Sequence, residues 1–304
     1  MIGSVNMDLM LRCPHLPAPG ETVLGREFTQ APGGKGANQA IAAARLGAEV
    51  SLIGCVGNDA YGHTSRSNLE IAKVDVSHLH SVSDQATGVA MITSDDQGEN
   101  CIALAPGANL SLSCEHLTRA DMLIARAGML VCQLESPLPV VLHAIQLAKH
   151  YQVPLLLNPS PVQKLSTDVL AGVHLLVLNE VEAAMLSGFP VSTVQTACRA
   201  ADFLRRMGIR SVVITLGEKG AVVADDDGVQ HFLAPKVKAI DTTGAGDTLV
   251  GALATALVSG SSMTEAIMVA QRAAAFSVTR RGAQASMPSV SDLEEFTPPL
   301  LQTV

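Results

Sequence analysis

The amino-acid sequence predicts an α/β fold in which helices cover both faces of a mostly parallel central sheet. Short apolar, β-branched runs alternate with longer segments of helical periodicity, a pattern typical of β-α-β units. Of the 304 residues, 48% are hydrophobic, which is enough for a large core. The predicted strands cover 50–56, 128–133, 154–158, 175–178 and 211–216. The predicted helices cover 36–46, 138–150, 194–207, 245–258 and 264–278.

Two segments, 9–31 and 85–105, interrupt this alternation. They contain strand-like patches separated by turn residues and show little helical periodicity. In the second segment, 88–93 and 100–104 flank the turn sequence Asp-Asp-Gln-Gly at 95–98, which predicts a hairpin. The two segments form either a small β lid beside the main sheet or edge strands of that sheet.

Composition excludes several classes of function. The net charge of −8 and the lack of Lys and Arg clusters argue against a nucleic-acid partner. The six cysteines form no C-x-x-C pair and indicate reduced thiols in a cytoplasmic protein. No apolar stretch approaches the roughly 20 residues of a membrane span, so no membrane partner is expected. Residues 1–5 resemble the end of a strand without lead-in residues, which favours a slightly longer natural chain.

Polar residues stand where four predicted strands end: Glu135, Asn158, Asn179 and Thr215. Open parallel sheets bind ligands at the carboxyl ends of their strands, so these residues predict one shared cleft. The alternative is that individual members are helix caps or turn formers.

The most informative segment is 241–248, with the sequence DTTGAGDT, followed by an apolar helix. The first amides of that helix have no partners inside it, and with the helix dipole they favour an anion. A carboxylate at Asp247, inside such a site, suggests a base that takes a proton from an attacking hydroxyl. The alternative is that Asp247 only caps the helix. The segment is neither a Walker A loop nor a dinucleotide fingerprint, because it lacks the required Lys and third Gly.

Two further segments carry candidate sugar-binding groups. In 33–39, with the sequence GGKGANQ, the glycines permit close approach of a ligand, and Lys35 and Asn38 can hydrogen-bond hydroxyl groups. Asn6 and Asp8 stand at the end of the first predicted strand, where a carboxylate can accept from two adjacent hydroxyls. A glycine turn that only starts a helix, and a simple turn after a strand, are the alternatives.

Together these segments resemble the ribokinase branch of the PfkB carbohydrate kinases. The resemblance runs from 3–8 to 279–284, and its specific signatures are 33–39 and 241–247. It implies a ribokinase-like three-layer sandwich with a β lid formed by about 9–31 and 85–105, within a single domain over 1–304. It also implies ATP-dependent phosphorylation of the primary hydroxyl of a small sugar, with ribose as the expected acceptor.

The resemblance also implies roles for matching residues. Asp247 corresponds to the catalytic base, and Gly244, Ala245 and Gly246 correspond to the anion hole. The sugar-contact positions correspond to Asn6, Asp8, Gly34, Lys35, Gly36, Asn38, Glu135 and Asp247. The nucleotide-contact positions correspond to Asn179, Thr215, Leu216, Gly217, Glu218, Lys219, Gly220, Gly246 and Gln271.

Cofactors and partners follow from the same resemblance. Mg²⁺ accompanies ATP, and Glu182 completes an Asn-x-x-Glu pattern linked indirectly to the magnesium ion. An activating K⁺ is expected at Asp241, Thr243, Ser277, Arg280, Gly282 and Ser286. A large, weakly hydrated ion suits such carbonyl and hydroxyl oxygens. The family commonly forms homodimers through its lids.

Several alternatives stay open at this stage. Within the kinases, the acceptor is ribose, deoxyribose, another sugar or a nucleoside. Outside them, a non-catalytic sugar or nucleotide sensor would keep Asn6, Asp8 and Asn38 but lose the base. A nicotinamide-dependent oxidoreductase is disfavoured because the early part of the chain lacks G-x-G-x-x-G.

Overall fold

The computed structural model describes residues 1–297, which contain fourteen strands and eleven α-helices. The strands are β1 (Asn6–Arg12), β2 (Glu27–Gly33), β3 (Val50–Ser51), β4 (Gly54–Gly57), β5 (Val74–Asp75), β6 (Leu79–Val82), β7 (Gly88–Ser94), β8 (Asn100–Ala105), β9 (Leu130–Gln133), β10 (Leu155–Asn158), β11 (Leu175–Asn179), β12 (Ser211–Thr215), β13 (Ala221–Asp225) and β14 (Gly228–Phe232). The helices are α1 (Lys35–Arg45), α2 (Ala60–Ile71), α3 (Cys114–Arg119), α4 (Asp121–Arg126), α5 (Leu138–Tyr151), α6 (Thr167–Leu170), α7 (Glu180–Ser187), α8 (Val194–Arg206), α9 (Ala245–Val258), α10 (Met263–Ser277) and α11 (Val290–Glu295).

The central sheet is mostly parallel, as the sequence predicts. Strands β9, β10, β11 and β12 lie side by side and parallel, and β13 and β14 continue the sheet in antiparallel orientation. On the other side of β9, Ile2 bridges in parallel to both Cys132 and Ile53. The start of the chain therefore connects β9 to the parallel pair β4 and β6.

Side chains of the sheet alternate between two cores, which gives the molecule three layers. On β10, Leu155 and Leu157 pack into a cluster with residues of α5 and α8, whereas Leu156 packs on the opposite face with residues of α9 and α10. Full burial of each such leucine stabilises the fold by about 1.5–3 kcal/mol. Every helix in the described part of the chain falls short of the length and apolar character that a bilayer span requires.

A second sheet forms a lid, with the strand order β2-β1-β7-β8. Strand β1 pairs antiparallel with β2 and parallel with β7, and β8 returns from β7 as a hairpin. Gly98 closes that hairpin turn with a φ of 87° and donates its amide to the Asp95 carbonyl. The two segments that interrupt the alternation thus belong to a lid and not to the edge of the main sheet.

Two sequence-based expectations are wrong in detail, and the helix α2 is absent from the predictions. The lid begins earlier than expected, so Asn6 and Asp8 lie within β1 and not at the end of a main-sheet strand. The predicted strand 50–56 is two short strands, because β3 pairs with β5 and β4 pairs with β6. The polar helix α2 was not predicted, since it buries only Gly62, Ser65 and Leu69.

Candidate functional site

The site is built around Asp247, which lies in the first turn of α9. Gly244 is the N-cap residue of this helix, with a φ of 75°, and its carbonyl accepts from the Thr248 amide at 2.8 Å. The Asp247 side chain is 8% exposed and caps no helix amide. Its position therefore excludes simple capping. The Ala245 amide donates to the Thr242 carbonyl at 3.2 Å, whereas the amides of Gly246 and Asp247 have no backbone acceptor in residues 1–297 and are available to an anion.

The carboxylate of Asp247 is held by two residues of α1. Asn38 Nδ2 donates to Asp247 Oδ2 at 2.8 Å, and Gln39 Nε2 donates to Asp247 Oδ1 at 2.9 Å. Hydrogen bonds to a charged acceptor are stronger than neutral ones and fix the plane of the carboxylate. Two segments separated by more than 200 residues, 33–39 and 241–248, thus form one site.

Glu135 forms a second cluster, where β9 leads into α5. Its Oε2 accepts from Ser4 Oγ at 2.6 Å, from the Lys35 amide at 3.3 Å and from Asn6 Nδ2 at 3.5 Å. The other side of Asn6 is fixed by Asn109 Nδ2, which donates to Asn6 Oδ1 at 2.7 Å. This cluster joins the floor of the cleft to the first strand of the lid.

Asp8 lies on β1, on the same face as Asn6. No group in residues 1–297 donates a hydrogen bond to its carboxylate. The pKa of Asp8 is raised to about 6, by burial first and by the charges of Glu135 and Asp247 next, and the charge of Lys35 opposes this rise only in part. A Cβ on Gly33 would lie 2.3 Å from Asp8 Oδ2, so glycine is required there to make room for the carboxylate.

Lys35 provides the positive charge of the cleft. Burial alone would lower the pKa of Lys35, but the carboxylates of Asp247, Glu135, Glu182 and Asp8 together raise it. The ammonium group therefore remains protonated at neutral pH. Glu182, on α7, is buried and is close enough for its charge to raise the pKa of Lys35.

The polar residues at the strand ends lie at one edge of the sheet, and some of them also have structural roles. Asn179 caps α7, with its Oδ1 accepting from the Glu182 amide at 2.8 Å, and Glu182 Oε2 accepts from the Asn179 amide at 2.9 Å. The Asn-x-x-Glu pattern is therefore a capping box. Thr215 Oγ1 donates to the Leu178 carbonyl, which joins the ends of β11 and β12.

The segment after β12 forms a glycine-framed loop. Gly217 and Gly220 have φ values of 56° and 97°, and the Leu216 amide donates to the Gly220 carbonyl at 2.8 Å. No atom within residues 1–297 lies within 4 Å of a Cβ built on Gly217, so this loop borders open space. Gln271 on α10 is buried, and its Oε1 has no hydrogen-bond partner in the same range. These residues make no hydrogen bond to the Asp247 cluster.

The predicted cation ligands lie in two adjoining loops. Asp241 clamps the loops together, because its Oδ1 accepts from the Thr243 amide at 2.9 Å and its Oδ2 accepts from the Gly282 amide at 2.8 Å. Burial would raise the pKa of Asp241, but hydrogen bonds from Thr243 and Gly282 outweigh it, and the pKa is lowered. Ser277 and Ser286 are both buried close to these loops, each 1% exposed.

Arg280 contributes differently from the other predicted cation ligands. Its guanidinium carbon lies 3.5 Å from the centre of the Phe276 ring, a cation–π contact. The side chain is therefore engaged with α10, and only its backbone is available to the loop.

Sequence reasoning gave no role to several residues that support the site. Gln39 belongs to a recognised signature but its side chain was not singled out. Gln133 lies in a strand and Gln284 in a turn, and neither local sequence has a distinctive pattern. The same is true of Ser4 and Asn109. Asn158 is predicted only as a member of the shared cleft at the strand ends, and its Oδ1 accepts from Gln39 Nε2 at 3.1 Å. Gln39, Asn109 and Gln284 are amide residues two or three positions after a glycine, which is the sequence signal that could have found these three.

A cavity of about 810 Å³ lies elsewhere, at the opposite ends of the strands. Its lining includes Met1, Val50, Met129, Leu130 and Val258. No residue of the predicted site lines it, so the cavity is separate from the chemistry of the cleft.

Comparison with known proteins places this geometry in context. The profile of the pfkB family carbohydrate kinases matches residues 1–290. The ribokinase of Haemophilus influenzae is 43% identical over 296 residues, 97% of each chain, and the deoxyribokinase of Salmonella typhi is 36% identical over 297 residues, again 97% of each. The structure of Arabidopsis thaliana ribokinase complexed with ribose and ATP superposes with a TM-score of 0.89 at 29% identity, covering 97% of this chain and 98% of that one.

Proposed function

This chain belongs to the pfkB family of carbohydrate kinases, and we propose that it transfers the γ-phosphoryl group of ATP to the primary hydroxyl of ribose. The fold is the three-layer ribokinase-like sandwich with a β lid. The choice of ribose is supported by the similarity to the Haemophilus ribokinase and to the Arabidopsis enzyme that holds ribose and ATP.

One observation carries the proposal: a buried carboxylate and an open helix start face the same cleft. Asp247 is oriented by Asn38 at 2.8 Å. Beside it, a Cβ on Gly246 would have no atom of residues 1–297 within 4 Å, so the backbone there is open to a phosphate. A base next to an anion site is the arrangement that phosphoryl transfer to a hydroxyl requires.

The lid strand β1 provides sugar recognition. The carboxylate of Asp8 has no protein donor, so both of its oxygens can accept from adjacent sugar hydroxyls. Asn6 and Glu135 are already oriented by neighbours and extend the polar surface around the ring. Lys35 and the backbone of Gly34 and Gly36 complete the side of the cleft nearest α1.

ATP lies across the strand ends. Asn179, the loop Thr215–Gly220 and Gln271 border the adenosine, and the γ-phosphate meets the start of α9. The unpartnered Oε1 of buried Gln271 is an acceptor without a donor among the described residues. A base or ribose donor of the nucleotide would satisfy it, which supports its place in the nucleotide site.

The reaction is an in-line displacement. Asp247 accepts the proton of the primary hydroxyl as its oxygen bonds to the γ-phosphorus. The bond between that phosphorus and the bridging oxygen breaks, and its electron pair leaves with ADP. We propose that the amides of Gly244, Ala245 and Gly246 stabilise the charge on the transferring group, with the Ala245 amide exchanging its 3.2 Å bond to the Thr242 carbonyl for a phosphate oxygen. Positioning and electrostatics dominate such reactions.

Mg²⁺ fits this site as a companion of ATP and not as a protein-bound metal. Within residues 1–297 there is no group of three or more His, Cys, Asp or Glu side chains arranged to bind a metal. Mg²⁺ is commonly held by one or two carboxylates together with phosphate oxygens and water. Glu182, whose charge raises the pKa of Lys35, is the carboxylate that the family resemblance assigns to indirect action on Mg²⁺ through water.

K⁺ fits the two loops that Asp241 clamps together. Their donor set consists of carboxylate, hydroxyl and backbone oxygens, which suit a large, hard cation. The predicted ligands are Asp241, Thr243, Ser277, Arg280, Gly282 and Ser286, with Arg280 acting through its backbone. Bound there, the ion would order the loop that leads into Gly244 without touching the sugar.

We also infer a homodimer formed through the lids. The lid sheet exposes large apolar side chains that a monomer leaves in water, with Phe28 at 56% and Met91 at 60% exposure on one face and Ile102 at 59% on the other. Lone exposed apolar residues are ordinary, but a group on one small sheet marks an interaction surface. A second copy of this sheet is the partner that the family resemblance favours.

The protein is proposed to work in the cytoplasm. All six cysteines are free thiols in the structure, including exposed Cys101. Free, partly exposed thiols are typical of a reducing compartment.

An acceptor panel tests the proposal. ADP release is measured with ribose, 2-deoxyribose, hexoses and nucleosides, and the phosphorylated carbon of the product is identified by NMR. We expect the highest kcat/KM with ribose and phosphate on the primary carbon. Preference for 2-deoxyribose would instead indicate a deoxyribokinase, the activity for which its Salmonella relative is named. Sugar binding without ADP release from any acceptor would make the protein a sensor and refute the kinase proposal.

A further inference from the structure

Two arms of amide side chains, all buried except the half-buried Asn68, converge on Asp247, one on each carboxylate oxygen. In the first arm, Asn68 Nδ2 donates to Gln284 Oε1 at 2.5 Å, Gln284 Nε2 donates to Asn38 Oδ1 at 2.8 Å, and Asn38 donates to Asp247 Oδ2. In the second arm, Gln133 Nε2 donates to Gln39 Oε1 at 2.6 Å, and Gln39 donates to Asp247 Oδ1.

The direction of every bond in the first arm is dictated by the carboxylate. An ionised carboxylate only accepts, so Asn38 must turn its Nδ2 toward Asp247. The Oδ1 of Asn38 then faces Gln284, which must present Nε2. The Oε1 of Gln284 in turn faces Asn68, which must present Nδ2. Each amide is therefore oriented by the next one inward.

The carboxylate also dictates the direction of each bond in the second arm, and as a result the outermost amide oxygen of that arm has no hydrogen-bond partner. Gln39 presents Nε2 to Asp247 and Asn158, so its Oε1 must accept from Gln133. The Oε1 of Gln133 is then buried without a partner in residues 1–297. Both glutamines are 0% exposed. An unpaired buried acceptor is unfavourable, so the orientation of this arm serves Asp247 and not its own outer end.

From this geometry we propose that Gln39 and Gln284 are positioning residues for the base, Gln39 directly and Gln284 through Asn38. The proposal rests on the proposed function, since it assigns their task to the role of Asp247 in proton abstraction. With both of its oxygens fixed, the carboxylate cannot rotate away from the hydroxyl that it must deprotonate. Such arrays are rigid when every inner bond is satisfied.

The first arm also reaches one of the loops proposed to hold K⁺. Gln284 begins the short 3-10 turn Gln284–Ser286, next to Gly282. The backbone of this turn is anchored by Arg45, whose guanidinium donates to the carbonyls of Gln284 and Met287 at 2.7 and 2.8 Å. Order in this loop is thus transmitted to Asp247 by two hydrogen bonds.

The test begins with near-isosteric variants that cannot donate. Gln39→Met and Gln284→Met should each lower kcat by about tenfold to a hundredfold, the scale of a ~1 Å misplacement at a reacting centre, while the KM values for ribose and ATP change little. Asn68→Leu removes only the outermost donor and is the matched control, with a smaller loss of kcat than Gln284→Met. Melting temperatures are measured for all three variants.

A second variant separates positioning from folding. Gln39→Glu keeps the shape of the side chain but places a carboxylate beside Asp247, and like charges raise each other's pKa. The acidic limb of the kcat–pH profile should therefore move to higher pH. The ¹³C carboxyl resonance of Asp247, assigned with Asp247→Asn, should titrate at higher pH in the same variant without any substrate present.

The outcomes separate this inference from the proposed function. Wild-type protein that phosphorylates no acceptor refutes the function, and the Asp247 resonance still tests the positioning. An active wild type with unchanged kcat in Gln39→Met overturns the inference alone. So does a Gln39→Glu variant in which neither the pH profile nor the resonance moves, even if its melting temperature falls, because that pattern indicates only a structural role.

Discussion

Two carboxylates face the same cleft from opposite sides, and their surroundings differ in kind. Asp247, on the floor of the site, accepts from Asn38 and Gln39, and its side chain is almost fully buried. Asp8, on the lid, has no donor in the described chain and a pKa raised to about 6, by burial first and by Glu135 and Asp247 next. The first carboxylate is engaged with the protein, and the second is available to a ligand.

The regions that carry these two residues differ in the same way. Around Asp247, the neighbouring side chains of α1 are almost completely buried. In the lid, β8 is exposed along its whole length, and most of β2 is exposed as well. A base must be held in place before substrate arrives, whereas a binding carboxylate gains its partners from the substrate. Under the proposed function, the chemistry would lie on packed elements and sugar recognition on a thin sheet that covers them.

The largest expected effect on turnover comes from Asp247, on the floor of the cleft. Asp247→Ala removes the proposed base and should lower kcat by about 10²–10⁴. Affinity for ATP should stay close to that of the wild type, because the nucleotide segments make no hydrogen bond to Asp247. Turnover is measured by ADP release, and nucleotide binding by calorimetry. A variant with near-normal turnover would show that the two carboxylates do not divide the work as described.

A pair of glycine substitutions compares floor and lid by adding one methyl group to each. Gly246→Ala adds a Cβ in open space, so the melting temperature should hold while kcat/KM for ATP falls by up to about a hundredfold through displaced phosphate. Gly33→Ala places a Cβ 2.3 Å from Asp8 Oδ2, which should raise the KM for ribose with little effect on ATP. Kinetics with each substrate varied in turn distinguish the two. Identical defects in both variants would contradict the comparison.

The free carboxylate on the lid should lower stability at neutral pH. The folded-state pKa of Asp8 lies above its unfolded value, so the folded protein binds more protons than the unfolded protein between about pH 4 and 6. The free energy of unfolding therefore falls as pH rises through that window. A shift of about two units corresponds to an upper bound of about 2–3 kcal/mol. Asp8→Asn should therefore be more stable than the wild type above pH 6 and similar near pH 4.

Denaturant unfolding at pH 4.5 and pH 7.5 measures this difference. Asp59→Asn is a useful contrast. In the wild type, Thr87 and Gly62 donate hydrogen bonds to the Asp59 carboxylate, and these bonds outweigh burial and lower its pKa. That variant should lose stability at neutral pH. An Asp8→Asn variant that is less stable than the wild type at pH 7.5 would argue against the account of Asp8.

The smallest expected effect concerns the loops that Asp241 clamps. K⁺ should stimulate turnover more than Na⁺ at equal ionic strength, since the larger ion suits a cage of carbonyl and hydroxyl oxygens. Asp241→Asn should weaken that preference, while the KM for ribose should change little. Equal turnover in both salts would contradict the proposal that K⁺ binds between these loops.

The sequence predicted individual elements better than the pairing of distant segments. Strands β9 to β12 and helices α1, α5, α8, α9 and α10 lie within about two residues of their predicted bounds, because buried strands and amphipathic helices carry local periodicity. The pairing of β1 with β7 joins segments about 80 residues apart and leaves no local signal. Contacts such as Gln39 with Asp247, separated by 208 residues, are likewise products of the fold.

The motifs identified the site but not its internal order. Segments 33–39 and 241–248 were singled out separately, and the structure joins them by a hydrogen bond of 2.8 Å between Asn38 and Asp247. The Asn-x-x-Glu pattern was read for its link to magnesium, and the structure adds a capping box between Asn179 and Glu182. Short motifs reveal chemistry because its residue types are restricted, whereas supporting amides are ordinary residues placed by tertiary structure.

Calorimetric titration of ribose into Asp8→Asn and Asp247→Asn is the most direct test of the division between the two carboxylates. The account predicts that Asp8→Asn binds ribose about tenfold to a hundredfold more weakly, the scale of losing hydrogen bonds to a charged group, and that Asp247→Asn binds it nearly as well as the wild type but does not turn over. Wild-type affinity in Asp8→Asn, or an equal loss of affinity in both variants, would contradict it.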